Sequence, residues 1–110
     1  MTPVVQKLAA IQRPEILRHL LALSDDDRRL RFGAMTKNET IAHYVGTIDF
    51  SRDKVFGIFG LDMHLIGVAH LALDAGHGFA ELGLSVNAGE RSQGCGLALL
   101  KRAKLHAVNL

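Results

Sequence analysis

The chain has 110 residues, of which 48% are hydrophobic and 5% aromatic, with no tryptophan, one cysteine and a formal net charge of +2. That length suits one small domain with an aliphatic core and excludes two. The mild charge lacks the dense, aromatic-interleaved basic patch of a nucleic-acid binder, and no stretch approaches the ~18 uninterrupted apolar residues of a membrane span. The single cysteine excludes an internal disulfide and suits a reducing, cytoplasmic setting. Met1–Ile11 has no long apolar core, so no secretory leader is expected there.

In chain order, Val4–Ala10 is expected as a short first strand. Arg13-Pro14-Glu15 opens a helix, since proline is tolerated in a first turn. Ile16, Leu17, Leu20 and Leu21 form its apolar stripe, which leaves Arg18 and His19 facing away. Ser24-Asp25-Asp26-Asp27 is a helix-start signal for a short helical turn running to Phe32-Gly33. Thr36 and Glu39 have the spacing of a capping box. The helix they introduce carries Ile41, Tyr44, Val45 and Ile48, the cleanest helical period in the chain. Val55–Gly60, Leu65–Leu73 and Phe79–Val86 read as three strands joined by turns, close enough in sequence for an antiparallel meander.

The most informative stretch follows. An apolar strand ending at Val86 leads through a polar loop, Asn87–Gln93, to Gly94 and Gly96, which open a helix at Leu97–Asn109 with no acidic residue in it. A helix start leaves about four backbone N–H groups without internal acceptors and about half a positive charge. Glycines let a ligand approach that backbone, so the arrangement is an anion cradle, most often for phosphate. Arg91 adds a charged fork suited to phosphate oxygens. The dinucleotide fingerprint fails because its last position is Leu99, and no Gly-Lys-Ser/Thr ending marks a Walker loop.

Arg91, Gly94 and Gly96 do fit the pattern [Arg/Gln]-x-x-Gly-x-[Gly/Ala] after a strand. This resembles motif A of the GNAT (Gcn5-related) N-acetyltransferases, which hold the pyrophosphate of acetyl-coenzyme A. The resemblance implies an α+β sandwich of the acyl-CoA N-acyltransferase type, in the order β-α-α-β-β-β-α. It covers nearly the whole chain as one domain, with its specific part at Phe79–Leu110; Asp27-Arg28-Arg29-Leu30-Arg31-Phe32 also resembles one group of these proteins. The fold continues elsewhere with a fifth strand, a fourth helix and two more strands. This chain is therefore expected to be a shortened version, with an open edge at its last strand that a second copy covers, by pairing or segment exchange.

The resemblance also implies roles. Main-chain N–H groups of Leu84 and Val86 would bond the pantetheine amides. Those of Gln93, Gly94, Cys95 and Gly96 would hold the pyrophosphate, with Arg91 and Ser92 in the same loop. Glu81 is the candidate general base, since a glutamate at a similar place takes the amine's proton in some members; burial in the strand would raise its carboxyl toward working pH. The fold's fourth helix often supplies a tyrosine that protonates the leaving thiolate; no residue here matches it, and Tyr44 is expected in the core. Transfer would be direct, from acetyl-coenzyme A to an amine on a small molecule or protein, with no nucleic acid or membrane as partner. The other reading is a catalytically incomplete fragment that serves as a coenzyme-binding or dimerisation module. Cys95 at a helix start is expected as a filler of the loop, where a thiol pKa can fall. His64, His70 and His77 lack the spacing and cysteine support of a metal site. Arg28, Arg29 and Arg31 are expected as a solvated helix face, with the coenzyme's 3′-phosphate as the other option.

Overall fold

The computed structural model describes residues 3–74, 76 and 78–107. Its strands are β1 (Gln6–Leu8), β2 (Lys54–Phe59), β3 (Leu65–Asp74) and β4 (Phe79–Val86). Its α-helices are α1 (Arg13–Leu21), α2 (Asp25–Phe32), α3 (Asn38–Gly46) and α4 (Cys95–Ala107). Short 3₁₀ turns at Ala10–Gln12 and Ala88–Gln93 precede α1 and α4. The four strands form one antiparallel sheet in the order β1-β2-β3-β4. The meander is as expected from sequence, and the first strand is shorter than expected.

The hydrophobic pattern divides over the two faces of the sheet. On one face Ile16 and Leu20 of α1 and Ile41 and Val45 of α3 pack against Val55, Leu65 and Val68. On the other, Cys95 and Leu99 of α4 pack on Phe56, Ile58 and Ala69. Val55 and Phe56 thus serve opposite layers, as the two-residue period of a strand requires. The alternation skips once in β3: Ile58 pairs with Gly67 but Phe59 with Leu65, so Ile66 is extra. This bulge puts Leu65 and Val68 on one face although they are three positions apart.

Three helices, not two, separate the first two strands. The stretch expected as a short turn is the eight-residue α2, which Ser24 caps by accepting from the Asp27 amide at 3.2 Å. Gly33, at φ 80°, closes it in the left-handed conformation. Arg28 holds α2 in place by donating to the carbonyls of Leu21 and Thr36, at 2.8 and 2.9 Å. The capping box at Thr36 and Glu39 does not form. Lys37 precedes α3 without a side-chain cap, and the Thr36 hydroxyl donates to the Ala34 carbonyl at 2.9 Å. His19 does not face away from the α1 stripe. It is buried at 2% exposure, beside Ile16 and Leu20.

Candidate active site

β4 is the centre of the site, because its alternate residues serve opposite sides of the sheet. Leu84 and Val86 pack toward α4. Ser85 points the other way and meets His19 of α1; Glu81 and Gly83 share its parity. β4 pairs with β3 alone among the described residues, so its outer main-chain edge is open.

Beyond Val86 the chain makes the 3₁₀ turn and reaches Gly94 at φ 79°, a conformation that glycine adopts without the Cβ penalty. The Ala98 amide donates to the Gly94 carbonyl at 3.1 Å, which starts α4 at Cys95. No acid lies in the first turn of α4. A Cβ at Gly94 would meet nothing within 4 Å, so a ligand has room to approach this backbone. The strand, loop and helix start follow one another in the order expected from sequence.

Several side chains there differ from expectation. Cys95 is no loop filler: it is 1% exposed and belongs to the core under α4. Burial, reinforced by the nearby Glu90 carboxylate, pushes its thiol pKa up, so the helix start does not activate it. Arg91 is exposed but engaged: its guanidinium donates to Asp27 at 2.5 Å and to the Val86 carbonyl at 3.4 Å. The side chain of Ser92 lies outside the described residues. The site residues also divide between two clefts. Leu84, Val86 and Arg91 line one of about 330 Å³, together with Ser85, Asp27 and Arg31. Gln93 and Cys95 line the other, of about 610 Å³, with Asn87, Glu90 and the β2–β3 turn.

The smaller cleft runs along β4 at Leu84–Val86, between it and α2, and Arg31 links it to a set of polar groups from distant parts of the sequence. Asp53 is buried at 2% exposure and accepts from Arg52 Nε at 2.8 Å, His70 Nε2 at 2.8 Å and the Leu73 amide at 3.1 Å. Burial pushes its carboxyl up, but these three donors outweigh it and hold the pKa at about 2. An ionised Asp53 only accepts, so the His70 proton sits on Nε2 and Nδ1 faces the Tyr44 hydroxyl. Arg31 Nη2 donates to the same Tyr44 oxygen at 2.6 Å. Burial raises the Tyr44 pKa, with Arg31 pulling the other way. The chain Asp53–His70–Tyr44–Arg31 thus runs from the core to the cleft. Tyr44 is half-buried within it rather than a plain core side chain.

A second polar pair lies beside it. His19 Nε2 is 2.9 Å from Ser85 Oγ, and burial, with Arg31 adding to it, lowers the His19 pKa. Among the described residues its Nδ1 is buried without a side-chain or main-chain partner within hydrogen-bond geometry. Glu81 is exposed, so the burial expected to tune its carboxyl is absent, although it shares the face of Gly83 and Ser85. Of the three arginines expected as a solvated face, Arg29 is exposed and pairs with the exposed Asp26 at 3.2 Å, whereas Arg28 braces α2 and Arg31 reaches Tyr44. His64 pairs with Glu15 at 2.9 Å, His70 is committed as above, and His77 lies outside the described residues. Among the described residues no group of three or more His, Cys, Asp or Glu is placed to hold a metal.

Comparison of this architecture with solved structures gives one consistent answer. A Corynebacterium glutamicum structure described as histone acetyltransferase HPA2 and related acetyltransferase superposes with a TM-score of 0.72 at 18% identity, over 97% of this chain and 72% of that one. The GNAT domain of Streptomyces lividans PAT gives 0.72 at 16% identity, over 96% and 65%. A Sinorhizobium meliloti phosphinothricin acetyltransferase of the GNAT superfamily, in complex with AcCoA, gives 0.69 at 16% identity, over 100% and 62%. The chain has the GNAT fold. It spans about two thirds of the length of such structures, for example 66% of a Staphylococcus aureus GNAT-family acetyltransferase. No protein-family model matches the sequence, and no curated protein matches it. No helix among the described residues is long and apolar enough to cross a membrane.

Proposed function

We propose that this chain belongs to an acetyl-CoA-dependent N-acetyltransferase that transfers an acetyl group to an amine-bearing acceptor, in a cytoplasmic setting. The observation that carries this reading is the glycine-opened start of α4, joined to the open-edged β4 through the 3₁₀ turn at Ala88–Gln93. The coenzyme would supply the activated acyl thioester. The amides of Gln93, Gly94, Cys95 and Gly96 would hold its diphosphate, with Arg91 and Ser92 in the same loop. The main-chain groups of Leu84 and Val86 would hold its amide-bearing arm along the strand edge. Arg91, exposed, would keep Asp27 and turn its remaining N–H groups to the phosphate oxygens. One residue opposes the anion: Glu90 lies close enough to act on the Cys95 thiol.

Glu81 is the proposed general base. Its exposure and its parity with Gly83 and Ser85 support a position on the acceptor side, where it takes the proton from the incoming amine, directly or through a water. The experiment is isothermal titration with acetyl-CoA, alongside thiol release over a panel of amines. Heat of binding with thiol release dependent on an amine supports the reading; no binding refutes it.

The open edge of β4 favours a second reading, a coenzyme-binding or dimerisation module without turnover. A second copy would pair along that edge or exchange a segment across it. Light scattering that reports a monomer removes the dimer from this reading, and binding of acetyl-CoA without turnover selects the module.

A further inference from the structure

Resting on the acyltransferase reading, we propose that Arg31 binds a carboxylate on the acceptor, so that the acceptor class is a compound carrying its amine and its carboxylate close together, as an amino acid does. One arginine of the cleft has no counter-ion among the described residues. Arg31 is half-buried, lines the 330 Å³ cleft and makes no ion pair among the described residues. The carboxylate nearest in sequence, Asp27, one helical turn earlier, is taken by Arg91 at 2.5 Å. Of the Arg31 donors, Nη2 is used by Tyr44. The other N–H groups have no protein acceptor among the described residues.

This guanidinium is also fixed in place. It lies against the β4 backbone at Gly83, where a Cβ would collide with it. The rings of Phe32 and Tyr44 flank it at 4.7 and 5.2 Å. Behind it, Tyr44 is held by His70 and His70 by the ionised Asp53. A planar fork, held rigidly and facing a cleft walled by Leu23, Leu30 and Leu84, suits bidentate recognition of a carboxylate. Glu81 stands on the same face of β4 two residues away, about 7 Å along the strand. An ammonium beside Glu81 and a carboxylate on Arg31 are the two ends of an amino acid. The phosphates of the coenzyme belong at the other end of this cleft, where Arg91 and the cradle at Gly94 lie beyond Val86, three positions past the Gly83 that Arg31 touches.

The probes are L-leucine, N-acetyl-L-leucine and L-leucinamide, each titrated into the whole chain while the Arg31 side-chain N–H signals are followed by NMR. L-Leucine and N-acetyl-L-leucine are expected to shift those signals saturably, with L-leucinamide about tenfold weaker, as loss of a charge-assisted contact implies. Arg31→Gln should abolish the effect and Arg31→Lys should weaken it about tenfold, because lysine keeps the charge and loses the fork. If either variant fails to fold, the contrast between L-leucine and L-leucinamide on the native chain decides. Equal binding of L-leucinamide, absence of any saturable shift, or displacement of L-leucine by CoA or inorganic phosphate overturns the proposal. A parallel CoA titration separates the two readings. CoA binding without the leucine response removes the carboxylate site alone. The leucine response without CoA binding leaves that site standing and removes the acyltransferase reading.

Discussion

Asp53→Asn tests the polar chain where it is most deeply buried. The Asp53 side chain is 1% exposed and receives three donors, from Arg52, His70 and the Leu73 amide. Asparagine keeps one acceptor oxygen but turns an NH₂ toward at least one of those donors. The native carboxyl is held at about 2 against an ordinary 3.8, which corresponds to about 2 kcal/mol of stability at neutral pH. Asp53→Asn should therefore cost about 2 kcal/mol, or a fall in Tm of about 10 °C for a domain this size. The sign with pH follows from the direction of the shift. A carboxyl held low stabilises the fold above its unfolded value, and that contribution disappears as pH falls from about 4 to about 2. Urea unfolding followed by circular dichroism should show the wild-type advantage in full at about pH 7 and largely gone near about pH 2. A variant within about 0.5 kcal/mol of wild type at neutral pH, or a gap unchanged across that window, refutes the account.

Other perturbations separate structure from ligand binding. Cys95 should react with a thiol reagent only as fast as the chain unfolds, because burial and Glu90 raise its pKa; rapid stoichiometric labelling of the native protein would contradict this. Gly94→Ala should cost about 1 kcal/mol through its positive φ, measured by urea unfolding. Gly96→Ala should leave stability unchanged or slightly higher, since its Cβ would meet only Val86 Cγ2 at 3.8 Å, yet weaken acetyl-CoA in calorimetry; unaltered affinity would argue against ligand approach at that backbone. Glu90→Gln should tighten acetyl-CoA about threefold at low salt and less at high salt, and a weaker complex would place the diphosphate away from α4.

Local signals carried much of the fold. The Ile41, Tyr44 and Val45 stripe and the apolar strands report interactions within one element, so their elements are readable from the chain itself, although α3 ends at Gly46 and Ile48, expected in that helix, lies beyond it. The glycine loop was readable for the same reason, because its left-handed residue and helix start are neighbours. The polar chain was not, since Asp53, His70, Tyr44 and Arg31 belong to four separate segments that only tertiary packing joins. His19 was assigned outward because a helical stripe ranks residues by polarity, and its partner Ser85 is 66 positions away. One signal did exist. His70 interrupts the run Val68-Ala69-His70-Leu71, and a polar side chain in a buried strand requires a partner. Thr36 departs from its capping pattern for the opposite reason: its hydroxyl donates to the nearby Ala34 carbonyl instead of serving as a cap that accepts from the Glu39 amide.

The register of β4 ties the fold to the proposed chemistry. Leu84 and Val86 are committed to the core beneath α4, while Gly83 and Ser85 meet Arg31 and His19 on the opposite side. A slip of one residue would drive Leu84 into the Arg31 guanidinium, take Ser85 from a buried histidine and turn polar groups into the α4 core. Each of those errors is costly, so the contacts that form the acceptor side also exclude the neighbouring registers. The polar groups behind β4 therefore do structural work even without a ligand. What a ligand adds is a counter-ion for Arg31, the one charge in the cleft that the described residues leave without one.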